Sequence, residues 1–219
     1  MEFRPMTRMP AFAISTALML GLSACTTLVG VDPTLTPAQR DQVQRDMPRP
    51  LVTADARYEW VTVESDIPVP RDAFAHWFMQ TGAAHLAVSG NGTPTLPGID
   101  RAELLGDTWH APGDRRRVVF TDGHSAVEEV IDSLQAHQFR YVSWNRSDRI
   151  GRYTRYAVGT LTFSESALGT HVHWTYAFRP KVWPDGLLIR NAVRTEHHDF
   201  LAAALAAMRE HALADLQEN

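Results

Sequence analysis

The chain of 219 residues carries 21 lysines and arginines against 25 aspartates and glutamates, a formal net charge of −4. That balance lacks the basic excess with which proteins read nucleic acid, so no nucleic-acid partner is expected. A single cysteine, Cys25, excludes an intramolecular disulfide and any cysteine-built metal site in the folded part.

At the N-terminus, Arg4 and Arg8 precede an apolar run over residues 11–22, which closes on Leu22-Ser23-Ala24-Cys25. Positive charge, a short apolar stretch and small residues before a cleavage point are the layout of an export signal. The run is too short for a permanent membrane-spanning helix, which takes about 20 apolar residues. Leu22-Ser23-Ala24-Cys25 also resembles the bacterial lipobox. The resemblance implies that residues 1–24 are a signal peptide and that Cys25 becomes a lipidated N-terminus, with the membrane as partner through that anchor. It implies a protein of the bacterial cell envelope facing the periplasm, and Thr26 in place of an aspartate points to the outer membrane. Residues 25–56 then read as a lipidated tether. Pro33, Pro37, Pro48 and Pro50 favour extended chain, although Thr36 as N-cap with Pro37 behind it would start a short helix.

The folded domain is expected over residues 57–219. Residues 58–66 alternate around Val61 and Val63, as a half-buried strand does, and Pro68 and Pro70 end it. Phe74, Trp77 and Phe78 recur at helical spacing within residues 71–80. Residues 90–98, rich in Gly, Pro, Asn and Thr, read as a loop. Strands over residues 116–121 and 125–134 flank Asp122-Gly123, a strong hairpin signal, and residues 138–144 continue the meander. A second hairpin joins residues 156–165 and 170–179 around Leu168-Gly169. In its last strand Val172, Trp174, Tyr176 and Phe178 share one face, and His171, His173 and Thr175 the other. Pro180 and Pro184 break the sheet. Asp185 is placed to cap a helix to about residue 213, with Ile189, Val193, Phe200, Ala204, Leu205 and Met208 as its apolar stripe.

This order of elements resembles the START-like or SRPBCC superfamily, which includes the polyketide cyclase/dehydrase and lipid-transport group. Three stretches carry the resemblance. Val63-Glu64-Ser65-Asp66-Ile67-Pro68-Val69-Pro70-Arg71-Asp72-Ala73-Phe74 is similar to the opening strand, proline turn and first helix. Glu128-Glu129-Val130-Ile131-Asp132-Ser133-Leu134 with Phe139-Arg140-Tyr141 is similar to the central hairpin, and Gly169-Thr170-His171-Val172-His173-Trp174 to the opening of the last long strand. The resemblance implies an α+β helix-grip fold, a curved antiparallel sheet wrapped around a long C-terminal helix, with an apolar ligand cavity between them. An apolar small molecule or lipid is the partner it implies, with no cofactor.

In that arrangement the final strand and final helix face each other. Trp174, Tyr176, Phe178, His197 and Phe200 are therefore the candidate ligand-binding residues, with Tyr141 joining from the central hairpin. A cyclase or dehydratase would need an acid–base pair such as His197 with Tyr141 or Tyr176, and a scaffold would need the core filled. No catalytic signature names a residue, since Ser125, Ser133, Ser143 and Ser164 lack a nucleophile elbow. His171 and His173 occupy the expected solvent face and no third and fourth ligands accompany them, so no metal site is expected. Arg115-Arg116-Arg117 reads as a solvated strand edge in preference to a headgroup site. Glu128 and Glu129 point to opposite faces of one strand and cannot act as a carboxylate pair.

Overall fold

Apolar side chains along the strands give the sheet one face that must leave water, and the C-terminal helix supplies the surface that covers it. The computed structural model describes residues 35–54, 56–82, 92–93, 96–134 and 136–217. Cys25, the signal segment 1–24 and the first part of the tether lie outside the described residues, as do residues 90–91 and 94–95 of the 90–98 loop. The strands are β1 (Glu59–Ile67), β2 (Ile99–Leu104), β3 (Arg115–Phe120), β4 (Ser125–Leu134), β5 (Gln138–Trp144), β6 (Thr154–Ser166) and β7 (Gly169–Pro180). They form one antiparallel sheet in the order β1-β7-β6-β5-β4-β3-β2. The helices are α1 (Pro37–Asp46), α2 (Arg71–Trp77), α3 (Asp185–Ala192) and α4 (His198–Gln217). This is the expected α+β helix-grip arrangement. Among the described residues no helix is long and apolar enough to cross a membrane.

The register places Val63, Trp174, Leu161 and Phe139 in one inward row, and Val61, Tyr176, Gly159, Tyr141 and Val130 in the next. Aromatic rings fill one end of this concave face. Phe74 meets Phe163 at 5.4 Å, Phe78 meets Phe139 at 5.3 Å, and Trp109 meets Phe139 at 5.0 Å, all edge to face. The Trp77 indole N–H donates to Asp215 at 2.8 Å, which ties α2 to the far end of α4.

Between α3 and α4 the chain makes one wide turn, Val193–His197, with hydrogen bonds spanning five residues. A regular helix would carry residues four apart progressively off its inner face. The wide turn keeps Ile189, Val193, His197, Leu201 and Leu205 buried together. Asp185 does not cap this helix. Pro184 stands at the N-cap without a side-chain bond, and the Asp185 carboxylate accepts from Val182 N–H at 3.2 Å.

Two sequence expectations change on the convex face. Arg115-Arg116-Arg117 is not a solvated edge, because β2 covers β3 and becomes the edge strand with its own charges, Asp100, Arg101 and Glu103. β2 itself was not expected, since Ile99-Asp100-Arg101-Ala102-Glu103-Leu104 shows no clean alternation and its pairing shifts register. The stretch after Thr36 takes the short helix that its Thr36-Pro37 start allowed, in place of extended chain. Thr36 and Gln39 close a reciprocal cap on α1, and α1 lies against β3. Arg115 donates to the carbonyls of Gln44 and Met47 at 3.4 and 2.8 Å and pairs with Glu129 at 2.6 Å. Arg117 reaches Asp41 at 2.8 Å. Behind the helix, Met47, Val52 and Tyr58 pack on Val127, Val142, Trp144, Tyr156 and Val158.

Arg115 therefore holds the C-terminal end of α1 to the sheet. Arg115→Gln should lower unfolding stability by about 1.5–3 kcal/mol, the usual range for bonds to a charged group, and should expose residues 37–53 to proteolysis. Urea unfolding with limited digestion checks it. A change below about 0.5 kcal/mol, the level of an ordinary surface substitution, would mean that the leader adds nothing to the fold.

Candidate ligand pocket

The inward rows of the sheet stop short of α4 at one place. There β3, β4, β5 and β7 meet the wide turn of the helix around a cavity of about 50 Å³, counted as space for the centres of water-sized molecules. Its apolar lining comes from Val118, Phe120, Trp174, Phe200 and Leu201, with Leu96, Pro97 and Ile99 at the mouth. The segment at the mouth is tied to the helix by the Thr93 hydroxyl, which donates to Glu196 at 3.1 Å.

The rest of the lining is polar, namely Arg116, Glu128, Tyr141, Arg146, Tyr176 and His197. The β3–β4 hairpin sets Arg116 directly opposite Glu128. The guanidinium donates to the carboxylate at 2.7 Å and lies 3.4 Å above the Trp109 ring. Arg146 follows β5 and pairs with Asp148, which also accepts from Gly151 N–H at 3.1 Å. Burial works to raise the Asp148 pKa, but the Arg146 charge and these bonds outweigh it and hold the carboxyl below its usual range.

Five of the six expected ligand-binding residues line the cavity: Tyr141, Trp174, Tyr176, His197 and Phe200. Phe178 does not. Its ring sits behind the lining, edge-on to His197 at 4.4 Å. His171 and His173 lie on the convex face beside Glu64, with His171 also 3.1 Å from Asp66. Arg116, Glu128 and Arg146 were not expected here, and they make the cavity far less apolar than the resemblance implied. Hairpin counting could have found the first two. Pairing outward from Asp122-Gly123 brings Arg116 to Glu128 and Arg115 to Glu129.

Gly159 makes room for Tyr141. A Cβ on Gly159 would stand 2.3–2.7 Å from Tyr141 ring and hydroxyl atoms, so any side chain there would drive the tyrosine from its place. Tyr141 and Tyr176 then lie 6.0 Å apart, ring to ring. Burial, with Glu128 nearby, pushes the Tyr176 pKa up to about 12, and burial followed by the Tyr176 and Glu128 charges raises Tyr141 too. Both hydroxyls keep their protons at neutral pH.

His197 goes the other way. Burial and then the Arg146 charge push its pKa down to about 3, so the ring is neutral. Its Nδ1 faces the Ala192 carbonyl but lies outside hydrogen-bond geometry. Trp174 Nε1 and Ser143 Oγ are likewise buried without a bond of good geometry, although the indole leans toward Tyr141 and the serine toward Tyr176. Buried polar atoms in native proteins are nearly always satisfied. Two of them, on Trp174 and His197, belong to the cavity lining and mark a place shaped for a polar group from outside the chain.

The protein-family comparison matches residues 82–213 to the family described as polyketide cyclase / dehydrase and lipid transport. No curated protein matches. Among solved structures the chain is similar to Ara h 8.0201, at 16% identity and a TM-score of 0.53, over 72% of this chain and 99% of that one. It is similar to the protein TTHA0849 from Thermus thermophilus, at 20% identity and a TM-score of 0.52, over 71% and 98% of the two chains. It is also similar to a point mutant of norcoclaurine synthase from Thalictrum flavum in complex with a transition-state analogue, at 16% identity and a TM-score of 0.56, over 74% and 99%. At these identities the likeness establishes the fold.

The depressed His197 pKa has a measurable consequence. Between pH 6.5 and about 3 the unfolded chain takes up a proton at this ring and the folded chain does not. The stability it contributes is therefore complete above pH 6.5 and falls as pH drops toward 3, by up to about 1.4 kcal/mol per pH unit. His197→Phe should flatten the stability profile between pH 6.5 and 4.5, above the range where Asp148 titrates. Urea midpoints across that window check it, and identical slopes in both proteins would contradict a neutral buried ring.

Proposed function

Since the chain belongs to the polyketide cyclase/dehydrase and lipid transport family, we propose that its cavity binds an apolar small molecule or lipid whose body meets the aromatic wall and whose polar head meets the two unbonded polar atoms of the lining. Those atoms, Trp174 Nε1 and His197 Nδ1, carry the reading. Apolar surface removed from water would supply the affinity, at roughly 25 cal/mol per Å² before the costs of ordering. A few polar groups would set orientation, the usual division of labour in small-molecule sites. The cavity at about 50 Å³ is smaller than a lipid, so a larger ligand requires the Leu96–Pro97 mouth to move outward.

The catalytic alternative is weaker. General acid–base groups work best with pKa values near the operating pH, whereas His197 at about 3 and Tyr176 at about 12 stand far on either side. The envelope placement belongs to the same proposal. Leu22-Ser23-Ala24-Cys25 and the charged, apolar run before it support a periplasm-facing lipoprotein held through Cys25, in the outer membrane by virtue of Thr26.

N-phenyl-1-naphthylamine, a neutral apolar fluorophore, should bind the folded chain and quench tryptophan emission. Tyr176→Leu should change its affinity at least fivefold, and His171→Ala on the convex face should leave it unchanged. Equal effects at both positions, in proteins that retain their unfolding midpoints, would remove the cavity from consideration.

A further inference from the structure

Away from the cavity, the turn after β7 and the start of α3 expose four large apolar side chains within seven residues: Val182, Trp183, Leu187 and Leu188. Trp183 is 82% exposed and Leu188 60%. Single exposed apolar residues are ordinary, but a contiguous group with a polar rim marks an interaction surface. The rim here is cationic. The 149–155 loop is fixed beside the patch by Lys181 Nζ, which donates to the Gly151 carbonyl at 2.8 Å, and by Arg155 Nε, which donates to the Lys181 carbonyl at 3.1 Å. It sets Arg149 beside Leu188, with Arg179 and Lys181 beside Val182 and Trp183, and Arg152, Arg155 and Arg194 lie in the same two segments, residues 149–155 and 179–194. Arg190 is paired with Glu59 at 2.8 Å, and the one carboxylate in these two segments, Asp185, turns to the Val182 amide. A chain of net charge −4 thus has one strongly basic end, with its most exposed tryptophan at the centre.

We propose that this end is a docking surface for an anionic phospholipid bilayer. Trp183, Leu187 and Leu188 would enter the boundary between headgroups and acyl chains, where an indole is at home. The surrounding cations would hold the phosphates above them, their aliphatic stems lying along the apolar surface. A second copy of the chain fits poorly, because a two-fold contact through this patch would press one cationic rim against another. Leu188 borders a groove that also contains Leu96 at the cavity mouth, so docking brings the mouth toward lipid. The surface stands independently of both Cys25 and the ligand.

The test uses the intrinsic tryptophans of the full chain with vesicles whose acyl chains carry bromine, a short-range quencher. All six tryptophans lie beyond residue 34, and of them only Trp60 and Trp183 are exposed. Brominated phosphatidylglycerol vesicles should quench the wild-type chain. Trp183→Phe should abolish that quenching and Trp60→Phe should preserve it. Brominated phosphatidylcholine should quench at least threefold less, and the double variant Arg149→Glu/Arg152→Glu should lose at least threefold with phosphatidylglycerol. No quenching by either lipid, quenching that survives Trp183→Phe, or equal quenching by both lipids would each overturn the proposal. Survival in the double variant Trp60→Phe/Trp183→Phe, which leaves no exposed tryptophan, would locate the lipid at Trp174 in the cavity, so failure of docking and failure of the binding reading give different results.

Discussion

Arg116 and Glu128 face each other across the β3–β4 hairpin inside the concave side of the sheet, 3% and 7% exposed. Two opposite charges so placed must keep each other and some polar surroundings, because removing either would leave the other uncompensated in the interior, at a cost of about 3–5 kcal/mol. This condition shapes the region around them. The Trp109 ring lies under the guanidinium, Tyr141 and Tyr176 turn their hydroxyls into the same space, and Arg146 with Asp148 adds a second balanced pair at its side. Apolar side chains of α4 cannot close over such a group without stranding it. A cavity persists where the helix would otherwise seal the core.

The same strand holds the other side of the molecule together. Alternation along β3 sends Arg116 inward and Arg115 and Arg117 outward, where they seize the end of α1 and its Asp41. Three consecutive arginines thus serve two unrelated surfaces. One maintains a polar cavity, and the two flanking it bind a leader helix whose continuation, through Met47, Val52 and Tyr58, covers the apolar convex face at Val142, Trp144 and Val158. The leader and the cavity share a backbone segment, and loosening one side of β3 bears directly on the other.

The strands that were legible in the sequence are those whose burial is one-sided. Val172, Trp174, Tyr176 and Phe178 against His171, His173 and Thr175 give an alternation that nothing else in the chain imitates, and the structure buries the first set. Tyr141 and His197 followed from setting that strand opposite the last helix. β2 stayed hidden because an edge strand with Asp100, Arg101 and Glu103 has little to bury and no clean period. Arg116 was misread, and its pairing with Glu128 missed, for a different reason. Charge on a strand suggests solvent, and only the neighbours on both sides of β3 reverse that inference. The wide turn at Val193–His197 has no sequence signal of its own, yet it is what brings His197 and Leu201 onto the face of Ile189. The docked leader was concealed by its prolines, which favour extended chain, while its anchoring arginines lie about 70 residues away.

The most direct test is the mass of the folded protein as isolated from a bacterial envelope, measured by native mass spectrometry at neutral pH. A cavity lined by two buried polar atoms without partners predicts a retained molecule of small-molecule or lipid mass, released on unfolding. The same spectrum reads the chain for loss of residues 1–24 and diacylglyceryl mass on Cys25. A folded chain of bare polypeptide mass, with nothing bound under any gentle isolation, would contradict the ligand-binding role of the cavity.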